Sequence, residues 1–220
     1  MKYKYIVFDL DGTLLDSVED IVNALNETLR ELKMNYSYSK REGIALLGSG
    51  ALELARKVFN DTGYDSTSPF FNEFCEAYYT NYKKHQGLRS CLYPGVKETL
   101  VELKSQGVKV AVFSNKPQRV INNSLDGLID ISIFDFVLGQ KDGYDPKPDP
   151  KAFLEELSER KIIFNKKDFL YVGDSDVDII FARNLGIDSC GCAYGYRGKK
   201  ELDEARATYI IDCFSEILLF

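Results

Sequence analysis

The chain has no tryptophan and a single histidine, His85. A Ser-His-Asp triad, a Cys-His pair or a multi-histidine metal site would need that one residue or more. His85 lies in the polar run Lys83-Lys84-His85-Gln86-Gly87, whose flanks place it in a solvated loop or at a helix end. Chemistry on this chain therefore runs on carboxylates. Cysteine is sparse and scattered: Cys75, Cys91, Cys190, Cys192 and Cys213 form an odd set. Cys190-Gly-Cys192 leaves one residue between its thiols, whereas zinc and thioredoxin motifs use two or more, so reduced thiols are expected. No apolar stretch approaches the roughly 18 residues of a membrane span. The apolar run Tyr5-Ile6-Val7-Phe8 is broken by Asp9 and Asp11 before a signal-peptide core can form, which leads us to expect a cytoplasmic location. Positive charge is also short, with 28 Lys+Arg against 34 Asp+Glu and a net charge of −6. Such a balance offers no broad footprint for nucleic acid or an anionic membrane, and neither is expected as a partner. Any bound phosphate must be met by locally placed charge.

What the chain does have is a length of 220 residues and 45% hydrophobic content, enough for a core without disulfide staples. Short β-branched or aromatic runs alternate with helix-length segments and stop at Gly, Asp or Ser. The pattern predicts strands at Tyr5–Phe8, Val108–Phe113, Phe136–Leu138, Phe169–Val172, Ser189–Ala193 and Tyr209–Ile211. Helices are predicted near 95–106, 117–129, 149–160 and 176–185, with Gly107 and Gly186 at helix C′ positions. Runs such as Phe169-Leu170-Tyr171-Val172 are apolar throughout, as strands covered by helices on both faces must be. The fold class expected is α/β, a doubly wound (Rossmann-like) parallel sheet. Residues 17–86 break the alternation. They read as helical, with apolar residues at Ile21, Leu25, Leu29 and Leu32, at Leu52, Ala55, Val58 and Phe59, and at Phe70, Phe71, Phe74 and Tyr78. Residues 1–16 and 87–220 are accordingly read as the core domain, and 17–86 as a small α-helical cap domain inserted after the first strand.

Four constellations carry chemistry. Asp9-Leu10-Asp11-Gly12-Thr13 ends the first strand, where residues i and i+2 of an extended segment point the same way, so both carboxylates can face one pocket. One carboxylate can attack as a nucleophile while its neighbour carries a proton. Ser114-Asn115-Lys116-Pro117 follows the second strand and offers a hydroxyl, an amide and a helix amino end to an anion. Lys147-Pro148-Asp149-Pro150 holds a lysine in a stiff proline frame. Gly173-Asp174-Ser175-Asp176-Val177-Asp178 follows another buried strand; it is not an EF-hand loop, because Ile179 stands where that loop needs Gly and Leu185 where it needs Glu. Asp174 and Asp178 can converge on one hard cation if Asp178 starts a helix. Alone, each stretch also has a structural reading: an Asp-Gly turn, a helix N-cap, a surface lysine, acidic helix capping.

Charge decides how they combine. Two carboxylates about 5 Å apart repel by roughly 3 kcal/mol at an effective dielectric near 20. Four carboxylates and a phosphate dianion cannot share a pocket without a divalent cation and Lys147, and oxygen-only ligation points to Mg²⁺.

Together these residues resemble the haloacid-dehalogenase-like (HAD) superfamily, whose four motifs stand here in order as Asp9-x-Asp11-Gly12-Thr13, Ser114, Lys147, and Gly173-Asp174 with Asp178. The resemblance implies that Asp9 attacks phosphorus, and that Asp11 protonates the leaving oxygen and then activates water. It further implies that Ser114, Asn115 and Lys147 hold phosphoryl oxygens. Mg²⁺ would be held by Asp9, the Asp11 backbone carbonyl, Asp174 and, directly or at one remove, Asp178. Asp11 argues against dehalogenation and phosphonate cleavage, since relatives with those activities lack a second aspartate there.

Leu47-Gly48-Ser49-Gly50-Ala51, Leu92-Tyr93-Pro94-Gly95-Val96, Ser114-Asn115-Lys116-Pro117 and Tyr194-Gly195-Tyr196 are similar to stretches of phosphoglycolate phosphatases. They imply hydrolysis of a small phosphorylated metabolite. Related pyrophosphatases and nucleotidases share these signatures, and β-phosphoglucomutase-like mutases are the nearest different reaction class. The mutases usually carry a cap arginine where this chain has Ala51, a role that would fall here to Arg41 or Arg56. Arg41, Arg56, Lys57 and Arg89 are candidates for a substrate carboxylate. Oligomeric state is not legible.

Overall fold

In the computed structural model, which describes residues 1–220, the chain runs β1 (Tyr5–Phe8), β2 (Leu15–Asp16), α1 (Val18–Glu31), α2 (Lys40–Leu46), α3 (Ala51–Thr62), α4 (Pro69–His85), β3 (Cys91–Leu92), α5 (Val96–Ser105), β4 (Lys109–Pro117), α6 (Gln118–Leu125), β5 (Phe136–Gln140), α7 (Lys151–Glu159), β6 (Phe169–Gly173), α8 (Asp176–Leu185), β7 (Asp188–Cys192), α9 (Gly198–Glu204) and β8 (Tyr209–Ile211). Six strands form one parallel sheet in the order β5-β4-β1-β6-β7-β8, with β1 between β4 and β6. The strand order reverses around β1. Ligands of open α/β sheets bind at such a switch point, beyond the carboxyl ends of the strands.

Alternation along the central strands fills two apolar layers. Ile6, Phe8, Val110, Val112, Leu170 and Val172 face one layer, and Val7, Ala111, Phe113 and Tyr171 face the other. Both faces are covered by helices, so the strands read as unbroken apolar runs. The expected strands and core helices are all present, with β1, β8 and α8 at the expected bounds and the others shifted at their ends. β4 reaches Pro117 rather than Phe113, because its pairing with β5 is interrupted after Phe113↔Leu138 and resumes at Pro117↔Gln140. That interruption carries Ser114, Asn115 and Lys116. β7 starts and ends one residue earlier than expected, and α6 stops at Leu125, not at 129. Gly107 and Gly186 both take left-handed φ, 79° and 71°, just past α5 and at the end of α8.

Helices α1–α4 have an apolar core of their own. Ile21, Leu25 and Leu29 of α1 meet Leu54, Ala55, Val58 and Phe59 of α3 and Phe71, Phe74 and Tyr78 of α4. Phe59 receives Phe71 and Phe74 edge-on, with centroids 5.0 and 5.3 Å away; burying each such ring stabilises by about 1.5–3 kcal/mol. Leu52, expected in this core, is 52% exposed. Leu54 takes the inward position instead, on the same face of α3 as Ala55, Val58 and Phe59. Val120 of α6 joins the same cluster and seats the helical unit on the sheet domain.

Two connectors cross between the units, and they pair. Leu15↔Leu92 and Asp16↔Cys91 form a short antiparallel ladder between β2 and β3. Asp20, fully buried in the first turn of α1, fastens the returning connector: its carboxylate accepts from Gly87 N (3.0 Å), Arg89 N (2.9 Å), Ser90 N (3.0 Å) and Ser90 Oγ (2.6 Å). His85 is the last residue of α4, and its Nε2 lies 2.6 Å from Glu27 Oε2. All five cysteines are unpaired. No helix is long and apolar enough to cross a membrane.

Candidate active site

The three central strands deliver the site. β1 ends at Phe8 and presents Asp9, whose backbone N–H still donates to Val172 O of β6 at 2.8 Å. β6 ends at Gly173 and presents Asp174, and the first turn of α8 presents Asp178. Asp9, Asp174 and Asp178 are all buried, with one carboxylate oxygen from each lying within 4.8 Å of the others.

Lys147 supplies the countercharge. Its side chain is 1% exposed, and Nζ lies 2.9 Å from Asp9 Oδ1 and 2.7 Å from Asp178 Oδ1. It also donates to Tyr171 Oη at 2.7 Å, while that hydroxyl donates to Phe113 O. The two carboxylates hold the Lys147 ammonium well above its ordinary range, overcoming the opposing effect of burial. Asp178 Oδ2 is taken by Ser175, which donates from both N and Oγ. Asp174 Oδ2 accepts Tyr196 N at 2.8 Å.

Asp9 Oδ1 is different. It is buried and close to Lys147, yet no well-directed hydrogen bond reaches it. Burial pushes the Asp9 carboxyl up to about 6, with Lys147 opposing and Asp178 adding to the rise. Burial also raises Asp174 well above the carboxylate range, helped by Asp178 and Asp9. Three buried carboxylates around one lysine lack positive charge, and their donor set is oxygen alone. A hard divalent cation fits this cluster.

Asp11 faces a second cation. Lys116 Nζ donates to Asp11 Oδ1 at 3.0 Å and Oδ2 at 2.9 Å and stands 4.9 Å above the Tyr82 ring of α4. Ser17, the residue placed to cap α1, turns its hydroxyl to Asp11 Oδ1 instead, at 2.5 Å.

The family model of haloacid dehalogenase-like hydrolases matches residues 6–192. The chain belongs to this family. It is 34% identical to the phosphoglycolate phosphatase of Aquifex aeolicus over 194 residues, covering 88% of this chain and 86% of the relative. It is 33% identical to the phosphoglycolate phosphatase of Vibrio parahaemolyticus over 219 residues, 98% and 94% of the two chains. Among solved structures, a predicted phosphoglycolate phosphatase from Haemophilus somnus superimposes with a TM-score of 0.90 at 30% identity, covering 100% of this chain and 98% of that one. Like these relatives, this member of the haloacid dehalogenase-like family is a phosphatase, a hydrolase of phosphomonoesters.

Within this haloacid dehalogenase-like site the structure brings Asp9, Asp174, Asp178 and Lys147 together, holds Asp11 against Lys116 and Ser17, and buries Ser114 at the pairing break in β4. The Asn115 side chain departs from its expected place. It spends its amide on the chain: Oδ1 accepts Lys147 N at 2.7 Å, and Nδ2 donates to Lys147 O at 3.2 Å and Gly48 O at 3.0 Å. A side chain so occupied fixes the lysine loop and does not point free donors at an anion. Arg41 and Arg89 are exposed, Arg56 lies 3.4 Å from Glu53, and Lys57 donates to Ala45 O. Four residues were not foreseen: Lys116 and Tyr82 at Asp11, Tyr171 beneath Lys147, and Arg197, which donates to Leu47 O at 2.7 Å. Lys116 stood in a quoted motif. The other three have no local signal, since Tyr82 and Arg197 act between the two units and Tyr171 reads as one more apolar position of a buried strand.

Proposed function

We propose that this phosphatase is Mg²⁺-dependent and hydrolyses a small phosphomonoester of the phosphoglycolate kind through an aspartyl-phosphate on Asp9. The observation that carries the reading is the convergence of the buried carboxylates of Asp9, Asp174 and Asp178 beside the single ammonium of Lys147. Asp9, Asp174, Asp178 and the Asp11 carbonyl would hold Mg²⁺, which neutralises charge between the carboxylates and the phosphoryl oxygens. An Asp9 carboxylate oxygen forms a bond to phosphorus as the ester P–O bond breaks, and Asp11 gives the leaving oxygen its proton. Water then attacks the same phosphorus; Asp11 takes its proton, and the bond to Asp9 breaks to release phosphate. Lys147 and Ser114 hold the phosphoryl oxygens. Residues 17–86 act as a cap that closes over the substrate, turning on the β2/β3 ladder and excluding water.

Phosphate release with and without Mg²⁺ tests this across phosphoglycolate, pyrophosphate, nucleoside monophosphates and β-glucose 1-phosphate. Mg²⁺-dependent release dominated by phosphoglycolate is expected. Isomerisation of glucose 1-phosphate without phosphate release would assign the chain to the mutases instead.

A further inference from the structure

Lys116 is a buried cation that the proposed phosphoryl transfer does not use. Its side chain is 4% exposed, and its partners are the two oxygens of Asp11 and the face of Tyr82. Burial opposes its charge, but Asp11 and the Tyr82 hydroxyl hold it firmly in the ammonium form. It lies on the seam between the sheet domain and the helical unit. Tyr78 and Tyr82, both buried, close that seam from α4.

The position of Lys116 differs in kind from that of Lys147. Lys147 is committed to Asp9 and Asp178, where the phosphoryl group would sit. Lys116 is bonded to Asp11, the group assigned to the leaving oxygen, and so stands within a side chain's reach of the leaving group. Other basic residues at the seam are already engaged, Arg197 with Leu47 O, Lys40 with Asp16 and Arg119 with the Tyr79 ring. A leaving group that enters here meets one cation and two aromatic rings.

We propose that Lys116 receives an anionic group carried by the leaving part of the substrate, and thereby selects phosphomonoesters with a carboxylate close to the phosphoryl group. The inference rests on the phosphatase reading above and extends it to the choice of ester. With no substrate, Asp11 neutralises Lys116. A substrate carboxylate offers Lys116 a substitute partner, which frees Asp11 to turn toward the leaving oxygen and keeps the buried ammonium paired throughout. An uncharged leaving group offers no exchange: either Asp11 stays bound to Lys116, or the cation is left buried without a partner, which is costly. One carboxylate replaces one carboxylate, whereas a second phosphate would bring more charge than one ammonium balances.

The test compares kcat/KM for phosphoglycolate, ethyl phosphate and pyrophosphate, at saturating Mg²⁺, in the wild type, Lys116→Met and Lys116→Arg. The wild type is expected to prefer phosphoglycolate to ethyl phosphate by about tenfold or more, and Lys116→Met to cut that ratio by about tenfold, mostly through KM. Lys116→Arg, which keeps the charge, is expected to retain part of the preference. Equal losses on both esters in Lys116→Met would overturn the proposal, assigning Lys116 to Asp11 or to folding. A Lys116-dependent preference for pyrophosphate alone would overturn the carboxylate assignment. Failure of the wild type to hydrolyse any of the three would instead remove the phosphatase reading beneath it. A measurement needing no variant guards against misfolding: glycolate should inhibit wild-type ethyl phosphate hydrolysis competitively and ethylene glycol should not, and equal behaviour of the two would contradict the proposal.

Discussion

Gly195 lies against Asp174 so closely that a Cβ built on it would stand 2.3 Å from Asp174 Cβ and 2.5 Å from Gly12 O. Gly12 is pressed against the same carboxylate, with φ +91° and a virtual Cβ 2.4 Å from Asp174 Oδ2. Asp174 therefore has one place to be, set by two glycines and the Tyr196 N–H. Gly195→Ala must displace either the carboxylate or the backbone behind it. Outer contacts of this kind are worth about 10–100-fold in metal affinity. We expect Gly195→Ala to raise the Mg²⁺ concentration needed for half-maximal phosphate release by at least that lower factor while the protein still unfolds cooperatively.

Removing the Asp9 charge should stabilise the metal-free protein. Its carboxyl is pushed up to about 6 by burial, from an ordinary 3.8. The folded state therefore holds its proton more tightly than the unfolded state, and stability falls as pH rises from about 4 through about 6. Asp9→Asn lacks that loss. In EDTA, the melting temperature of Asp9→Asn minus that of wild type should be near zero at pH 4 and positive at pH 7. Addition of Mg²⁺ should stabilise wild type more than the variant. A difference that stays flat with pH would contradict the assigned burial cost.

The parallel core was legible because buried parallel strands have no polar face to hide: Phe169-Leu170-Tyr171-Val172 is apolar whichever way it is read. The acidic cluster was legible for a related reason, since each member sits directly after such a strand or on the turn that follows. Short elements carry no period. β2 and β3, two residues each, could not be seen, although they tie the two connectors together. Asp20 carries no distinguishing signal in the sequence, and only the fold shows it buried against residues 87–90. The Asn115 side chain was not legible either. An amide after a strand can donate to an anion, but the pairing break between β4 and β5 turns its side chain to Lys147 and Gly48. Lys116 and Asp11 meet across 105 positions, a pairing that no spacing rule reaches.

Asp20 should matter far more than a surface acid. Asp20→Ala leaves three backbone N–H groups and the Ser90 hydroxyl without their acceptor, and an unsatisfied buried group costs about 1–3 kcal/mol. A loss of about 3 kcal/mol or more in urea unfolding is expected, along with faster proteolysis near residues 87–90. An effect below about 1 kcal/mol would mean that water replaces the carboxylate there.

Asp135 provides an opposite pH signature. Burial raises its carboxyl, but hydrogen bonds from Lys104 (2.8 Å), Lys109 and the Val110 N–H outweigh that and hold it below the ordinary range. A depressed carboxyl contributes stability above its unfolded value near 3.8 and loses it as pH falls through the lower folded value. Asp135→Asn should cost about 1 kcal/mol at pH 7 and progressively less toward pH 2, read as the urea midpoint at each pH.

The most direct test of phosphoryl transfer to Asp9 is a single-turnover reaction with phosphoglycolate and Mg²⁺, quenched in acid at millisecond intervals and followed by mass spectrometry of the peptide containing residues 5–16. A phosphoryl group should arise on Asp9 as glycolate is released, then decay as inorganic phosphate forms, and Asp9→Asn should show neither event. Phosphate release at the wild-type rate with no modified peptide at any time, or with the phosphoryl group on another residue, would contradict it.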